Sequence, residues 1–254
     1  PLRMPGEGFV REVHKPLGED PDYERRLERL QKNPPRILPD QLRTLTIDRT
    51  SGASALRLKP LAQPLAPTAG NGFEGISQAG YIPGEPTVAA GPLNVFTAGN
   101  VSVTVTNKDG TSRVETLGRS FFGVTPGEGD ISDAQCYYDA VHGRFIALCF
   151  TIGTSPEYSN FYLAISKTSD ARGQWWLYKF DMTLDGTTPS GNWADYHSLG
   201  VSEDKIAMTA QMFNFVGTAY QYQKVRVLDR AAAYAGQPLS YVDFFDFAPP
   251  PGGD

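Results

Sequence analysis

The chain has 254 residues, ample for a buried core, and its 40% apolar and 11% aromatic content with 26 Gly and 20 Pro suits short strands joined by tight turns better than a helical bundle. The net charge of −5 is uneven: residues 1–66 carry 12 Lys and Arg against 9 acids, and the rest carries 11 against 19. An acidic body excludes a nucleic-acid groove, two Cys with three His leave no disulfide framework and too few ligands for a zinc enzyme, and no run of about 18 apolar residues spans a bilayer.

Pro1–Gly8 has neither an initiating Met nor an apolar core, so it reads as a processed N-terminus or as part of a longer chain rather than a signal peptide. Residues 1–66 form a Pro-rich, charged arm. Its one predicted element is a short amphipathic helix near 21–32: Asp20-Pro21 supplies the N-cap and first-turn proline, Tyr23, Leu27 and Leu30 share a face, and Pro34-Pro35 stops it. Such a helix is marginal alone. The arm is either a solvated leader or a strap that grips its own domain or a neighbouring subunit.

From residue 67 the pattern turns to short alternating strands, in three similar units at about 85–120, 130–182 and 193–247. The first has strands at 86–91, 94–98, 101–106 and 114–117, with a turn at Asn107-Lys108-Asp109-Gly110-Thr111. The second has strands at 133–139, 144–150, 161–166 and 175–180, and the third at 194–201, 206–213, 225–229 and 240–244. Four short strands per unit predict an all-β fold, a β-propeller of four-stranded antiparallel blades. Three blades do not close a ring, and Pro249-Pro250-Pro251 reads as a loop leading onward. Further blades are therefore expected downstream or from another chain, because an open fan would expose an apolar flank and unpaired edges.

Several stretches resemble those of large secreted bacterial β-propeller proteins, mostly uncharacterised. They are Val88-Ala89-Ala90-Gly91-Pro92-Leu93-Asn94-Val95, Asp133-Ala134-Gln135-Cys136-Tyr137-Tyr138-Asp139 with Gly143-Arg144-Phe145, Ala164-Ile165-Ser166-Lys167-Thr168-Ser169-Asp170, and Trp193-Ala194-Asp195-Tyr196 with Leu199-Gly200. That group usually has Asp-Pro at Asp133-Ala134 and Asp-Tyr-Pro at Asp195-Tyr196-His197. The resemblance covers roughly residues 85–245 and implies an extracytoplasmic protein. Ser169-Asp170-Ala171-Arg172-Gly173-Gln174-Trp175 is similar to the Asp-box of sialidase-like propellers, which implies that the Asp170 carboxylate caps backbone N–H groups and that Trp175 packs between strands. It supports a fold and says nothing of catalysis.

The first strand of a propeller blade lines the central channel, so Glu85, Asp133, Gln135, Asp195 and His197 are expected to converge there. Such a ring could hold Ca²⁺, which favours carboxylate and carbonyl oxygens; alternatively these residues only cap strand ends. No catalytic residue is assigned. A sialidase needs arginines on inner strands, and Arg144, Arg172 and Arg226 fall beside turns or on later strands. Another carbohydrate-active design could pair Asp133 with Asp195. Gly70-Asn71-Gly72-Phe73-Glu74-Gly75 opens no helix and reads as a connector. Most of the aromatic residues are expected to pack between blades, and Tyr220 and Tyr222, read as loop residues beyond Phe215, either join that core or stack a glycan. Two turn lengths are open for Cys136 and Cys149: a two-residue turn at His142-Gly143 sets them opposite each other, where a disulfide is feasible, whereas closure by Asp139 and Arg144 sets Cys136 opposite Ala147. The leading expectation is a non-catalytic binding or assembly module, homo- or hetero-oligomeric, touching other subunits or surface polymers through residues 1–66. An extracellular glycoside hydrolase or lyase is the alternative.

Overall fold

The computed structural model describes residues 2–13, 72–76, 84–216 and 218–245, and the helix expected at 21–32 lies outside them. Three four-stranded antiparallel sheets follow one another along the chain. The first comprises β2 (Thr87–Ala90), β3 (Asn94–Ala98), β4 (Ser102–Asn107) and β5 (Val114–Leu117), trailed by the one-turn helix α1 (Gly118–Phe121). The second comprises β6 (Ser132–Asp139), β7 (Arg144–Thr154), β8 (Glu157–Ser166) and β9 (Trp175–Asp181). A small hairpin, β10 (Leu184–Asp185) and β11 (Thr188–Pro189), leads to the third: β12 (Asn192–Val201), β13 (Lys205–Asn214), β14 (Tyr220–Asp229) and, after α2 (Arg230–Tyr234), β15 (Leu239–Phe245).

The sheets pack face to face in series, with the second in the middle. Its β7 shows why: Phe145, Ala147 and Cys149 face the first sheet, where they meet Phe96, Val103 and Val105, while Ile146, Leu148 and Phe150 face the third, where they meet Ile206, Met208 and Met212. A strand covered on both sides has no place for alternating polar residues, which is why this stretch reads as an unbroken apolar run. Trp175 fills the first interface against Phe96 and Phe121, at ring-centroid distances of 5.2 and 5.0 Å.

The Asp139 carboxylate fixes the β6–β7 turn: its Oδ1 accepts from the N–H groups of Val141 and His142, and its carbonyl accepts from Gly143 N–H. Gly143 sits at φ +64°, which suits a residue without Cβ. Asp139 therefore pairs with Arg144, and Cys136 lies opposite Ala147. Of the two turn lengths that the sequence left open the longer one forms, so no Cys136–Cys149 bridge is present: Cys149 pairs with Tyr162, and both thiols are free.

Two further elements depart from the sequence reading. Residues of the arm form β1 (Leu2–Val13), whose first half pairs with β15 and second half with β9, so that one strand extends the outer edges of two sheets. Tyr220 and Tyr222 lie on β14 rather than in a loop, and the Tyr222 hydroxyl donates to Asp185 at 2.7 Å. The same region holds a buried ionic cluster. Arg226 and Asp243, both 0% exposed, form a two-pronged pair at 2.8 and 2.7 Å. Arg226 also donates to the Asp181 and Leu184 carbonyls, and Asp243 accepts from Gly186 N–H. The cluster thereby pins the β10–β11 hairpin between the second and third sheets.

Candidate functional site

The first strands of the three sheets lie side by side, β6 between β2 and β12. Three non-glycine residues along these segments occupy the left-handed region: Glu85 (φ 44°), two residues before β2, Asp133 (φ 51°) at the start of β6, and Tyr196 (φ 47°) midway along β12. In β6 and β12 these residues fall inside register shifts, between Ser132 and Gln135 and between Asp195 and Ser198. A bulge of this kind costs ladder hydrogen bonds and re-aims side chains, and such strain concentrates at functional sites.

The three irregular segments enclose a cleft of about 600 Å³, and all five residues expected at a channel, Glu85, Asp133, Gln135, Asp195 and His197, line it. Gln135 ties two walls together: its Nε2 donates to the His197 carbonyl at 2.6 Å and its Oε1 accepts from Leu199 N–H at 3.2 Å. Asp133 N–H donates to Asn100 Oδ1 at 2.7 Å, and Cys136 N–H donates to Thr87 Oγ1, joining β6 to the first sheet.

The carboxylates crowd. Burial, together with a hydrogen bond and the charge from Glu85, pushes the Asp133 carboxyl up to about 7, against a smaller pull from His197. Burial and the Asp133 charge also raise Asp195, although Tyr196 N–H, donating to Asp195 Oδ1 at 2.7 Å, opposes them. Burial drives the His197 imidazole down to about 4, so it is neutral at physiological pH despite the nearby Asp133 charge. The ring is 3% exposed and rests on Phe150 and Phe161, with centroids 5.6 and 5.3 Å away. The carbonyls of Leu148 and Asp133 lie close enough to favour its protonated form, yet neither ring nitrogen has a well-formed hydrogen bond.

Among the described residues, no three His, Cys, Asp or Glu side chains come together closely enough to hold a metal ion, so Ca²⁺ at this cleft would depend on water or backbone oxygens. The arginines stand elsewhere: Arg144 and Arg172 donate to turn carbonyls and Arg226 is buried with Asp243. At the 169–175 turn, Asp170 Oδ1 accepts from Arg172 N–H at 2.9 Å and from Asn94 Nδ2 at 2.6 Å, Gly173 N–H closes on the Asp170 carbonyl, and Trp175 Nε1 donates to the Ala171 carbonyl. The Asn94 contact makes this turn a clasp between the first and second sheets.

Tyr196, absent from the expected set, stands 72% exposed among the cleft-lining residues. The available signal was its position between two candidate residues, Asp195 and His197. A second cavity of about 420 Å³ is lined by Tyr137, Asp139, Val141, His142, Ser202 and Glu203 among others. Its polar centre is committed, since Asp139 Oδ2 accepts from Tyr234 and contacts His142 Nδ1, each at 2.7 Å. No family model matches the chain, and no curated protein or solved structure matches it either.

Proposed function

We infer that the chain is part of an extracytoplasmic β-propeller of four-stranded blades, acting as a non-catalytic binding or assembly module whose ligand enters the carboxylate-lined cleft. The observation that carries this reading is the convergence on one cleft of the segments that lead the three sheets, with left-handed residues just before β2, at the start of β6 and within β12. The outer face of the third sheet supports continuation of the ring: Val225, Val227, Val242 and Phe244 form a partly buried apolar strip there, which another blade would cover more fully. The extracytoplasmic location rests on the resemblance of the blade motifs alone. Other subunits or surface polymers are the natural partners.

One observation favours an extracellular carbohydrate-active enzyme as a second reading: Asp133 holds its proton near neutral pH, as a general acid must. A glycosidase also needs a second carboxylate about 5 Å or more away, whereas Glu85 is the acid whose charge helps to raise Asp133. Asp195 would have to serve. Incubation with a panel of polysaccharides, scored for both retention and cleavage, separates the readings. Retention without product is expected. Product formation that disappears in Asp133→Asn or Asp195→Asn overturns the binding module.

A further inference from the structure

Lys224, on β14, has a fully buried side chain, and its Nζ stands 2.7 Å from Oδ1 of Asp185 on β10. The contact differs from an ordinary hydrogen-bonded ion pair. Nζ donates to the Met182 and Leu184 carbonyls, at 2.9 and 3.0 Å, whereas Asp185 Oδ1 is buried with no hydrogen-bond partner among the described residues. Nitrogen and carboxylate are therefore pressed together off the hydrogen-bond line, and Cγ, one bond further, lies within about 4 Å of Nζ. The other carboxylate oxygen, Oδ2, accepts from the Tyr222 hydroxyl at 2.7 Å.

These are the parts of an amide-forming site. Burial weakens the hold of Lys224 on its proton; the Asp185 charge opposes this and the Arg226 charge reinforces it. A lysine desolvated beside another cation is a recurrent form of amine nucleophile in proteins. Exclusion of water favours condensation over hydrolysis, and a well-oriented pair reacts as if at an effective concentration of roughly 10⁵ M or more. The surroundings also accommodate the product. An amide keeps one hydrogen on Nζ, which the Met182 carbonyl can accept, while the Leu184 carbonyl retains Arg226 Nη2 at 2.9 Å.

We propose that Lys224 and Asp185 join spontaneously in an isopeptide bond, which ties β14 of the third sheet covalently to the hairpin that links it with the second. The ammonium first passes a proton to the carboxylate. The Nζ lone pair then attacks Cγ, a C–N bond forms, and the Cγ–Oδ2 bond breaks. Oδ2 leaves as water with two protons that both originate on the ammonium, the second relayed by the Tyr222 hydroxyl. An ammonium and a carboxylate thus become a neutral amide and one water, and no oxidant or cofactor enters. With both thiols free, the bond supplies a covalent staple that the cysteines do not. It is independent of what the cleft binds.

The test is intact-mass spectrometry of the purified full chain, denatured after incubation in the folded state. The expected mass is one water, about 18 Da, below that of the sequence, with a protease digest yielding a branched peptide that joins Asp185 to Lys224. Lys224→Met and Asp185→Ala should each return the full mass, and Tyr222→Phe should slow the loss of water at least about tenfold. Full mass after prolonged folded incubation overturns the proposal. A water loss that persists in Lys224→Met also overturns it, being the signature of a succinimide at an Asp-Gly step such as Asp185-Gly186. The digest of the parent chain keeps the test decisive where a variant fails to fold, because a digest without the branched peptide overturns the bond. Water lost from Tyr222→Phe as fast as from the parent overturns the relay.

Discussion

Replacing Asp133 by Asn should make the protein more stable at alkaline pH and expose a pH dependence that the parent hides. Asp133 has a folded pKa of about 7 against 3.8, so the stability linked to its protonation is present below 3.8 and lost as pH rises through about 7. His197 behaves oppositely: its folded pKa of about 4 lies below 6.5, so the linked stability is present above 6.5 and lost as pH falls towards 4. At ~1.4 kcal/mol per tenfold change in proton affinity, His197 contributes about 3 kcal/mol. Asp133 gives about 4 kcal/mol, reduced to about 2 because solvent screens a half-buried carboxylate. The two largely cancel between pH 4 and 6.5. Asp133→Asn removes one side, so its stability relative to the parent should rise by about 2 kcal/mol from acid to alkaline pH; His197→Phe should instead gain by about 3 kcal/mol towards acid. Urea unfolding across that range, at constant m-value, measures both. A difference between Asp133→Asn and the parent that stays flat with pH would refute the crowding of carboxylates at the cleft.

Arg226→Met should cost about 3–5 kcal/mol in the same assay, because it leaves Asp243 buried and unpaired and strands the Asp181 and Leu184 carbonyls. Adding Asp243→Leu should give little recovery, since Gly186 N–H then loses its acceptor as well; full recovery would show the pair to be replaceable. Gln135→Ala should destabilise by about 1–3 kcal/mol by cutting the only side-chain link described here between β6 and the His197 and Leu199 backbone, a loss read by hydrogen exchange at Leu199 N–H. Thiol labelling should add two labels after unfolding and almost none before, because burial pushes Cys136 up to about 11 and Cys149 well above its ordinary value. A single oxidised species lacking both labels would contradict the register of the β6–β7 hairpin.

The strands were legible where side-chain periodicity follows directly from burial. The apolar run from Phe145 to Phe150 marks a strand covered on both faces, while Ile206, Met208, Ala210 and Met212 alternate because only one face of β13 is covered as deeply. The site set was legible because polar residues at the starts of successive repeats project into shared space once the sheets stack. Register was not, because both turn lengths in the 139–144 hairpin satisfy the apolar pattern; what decides between them is the capping by Asp139, a local hydrogen-bond choice. β1 escaped notice because Pro5, Gly6 and Gly8 break a strand pattern, yet an edge strand can tolerate them. Nor does sequence announce that Tyr196 adopts a left-handed conformation, since bulges arise from how neighbouring strands meet.

The crowding of carboxylates at the cleft is best tested by ¹³C NMR titration of the side-chain carboxyls. The predicted result is one carboxyl titrating near 7, absent in Asp133→Asn and shifted downward in Glu85→Gln, which removes a neighbouring charge but not the burial. A spectrum in which every carboxyl titrates below about 5 would contradict it, and with it the cleft as a site built around a desolvated carboxyl.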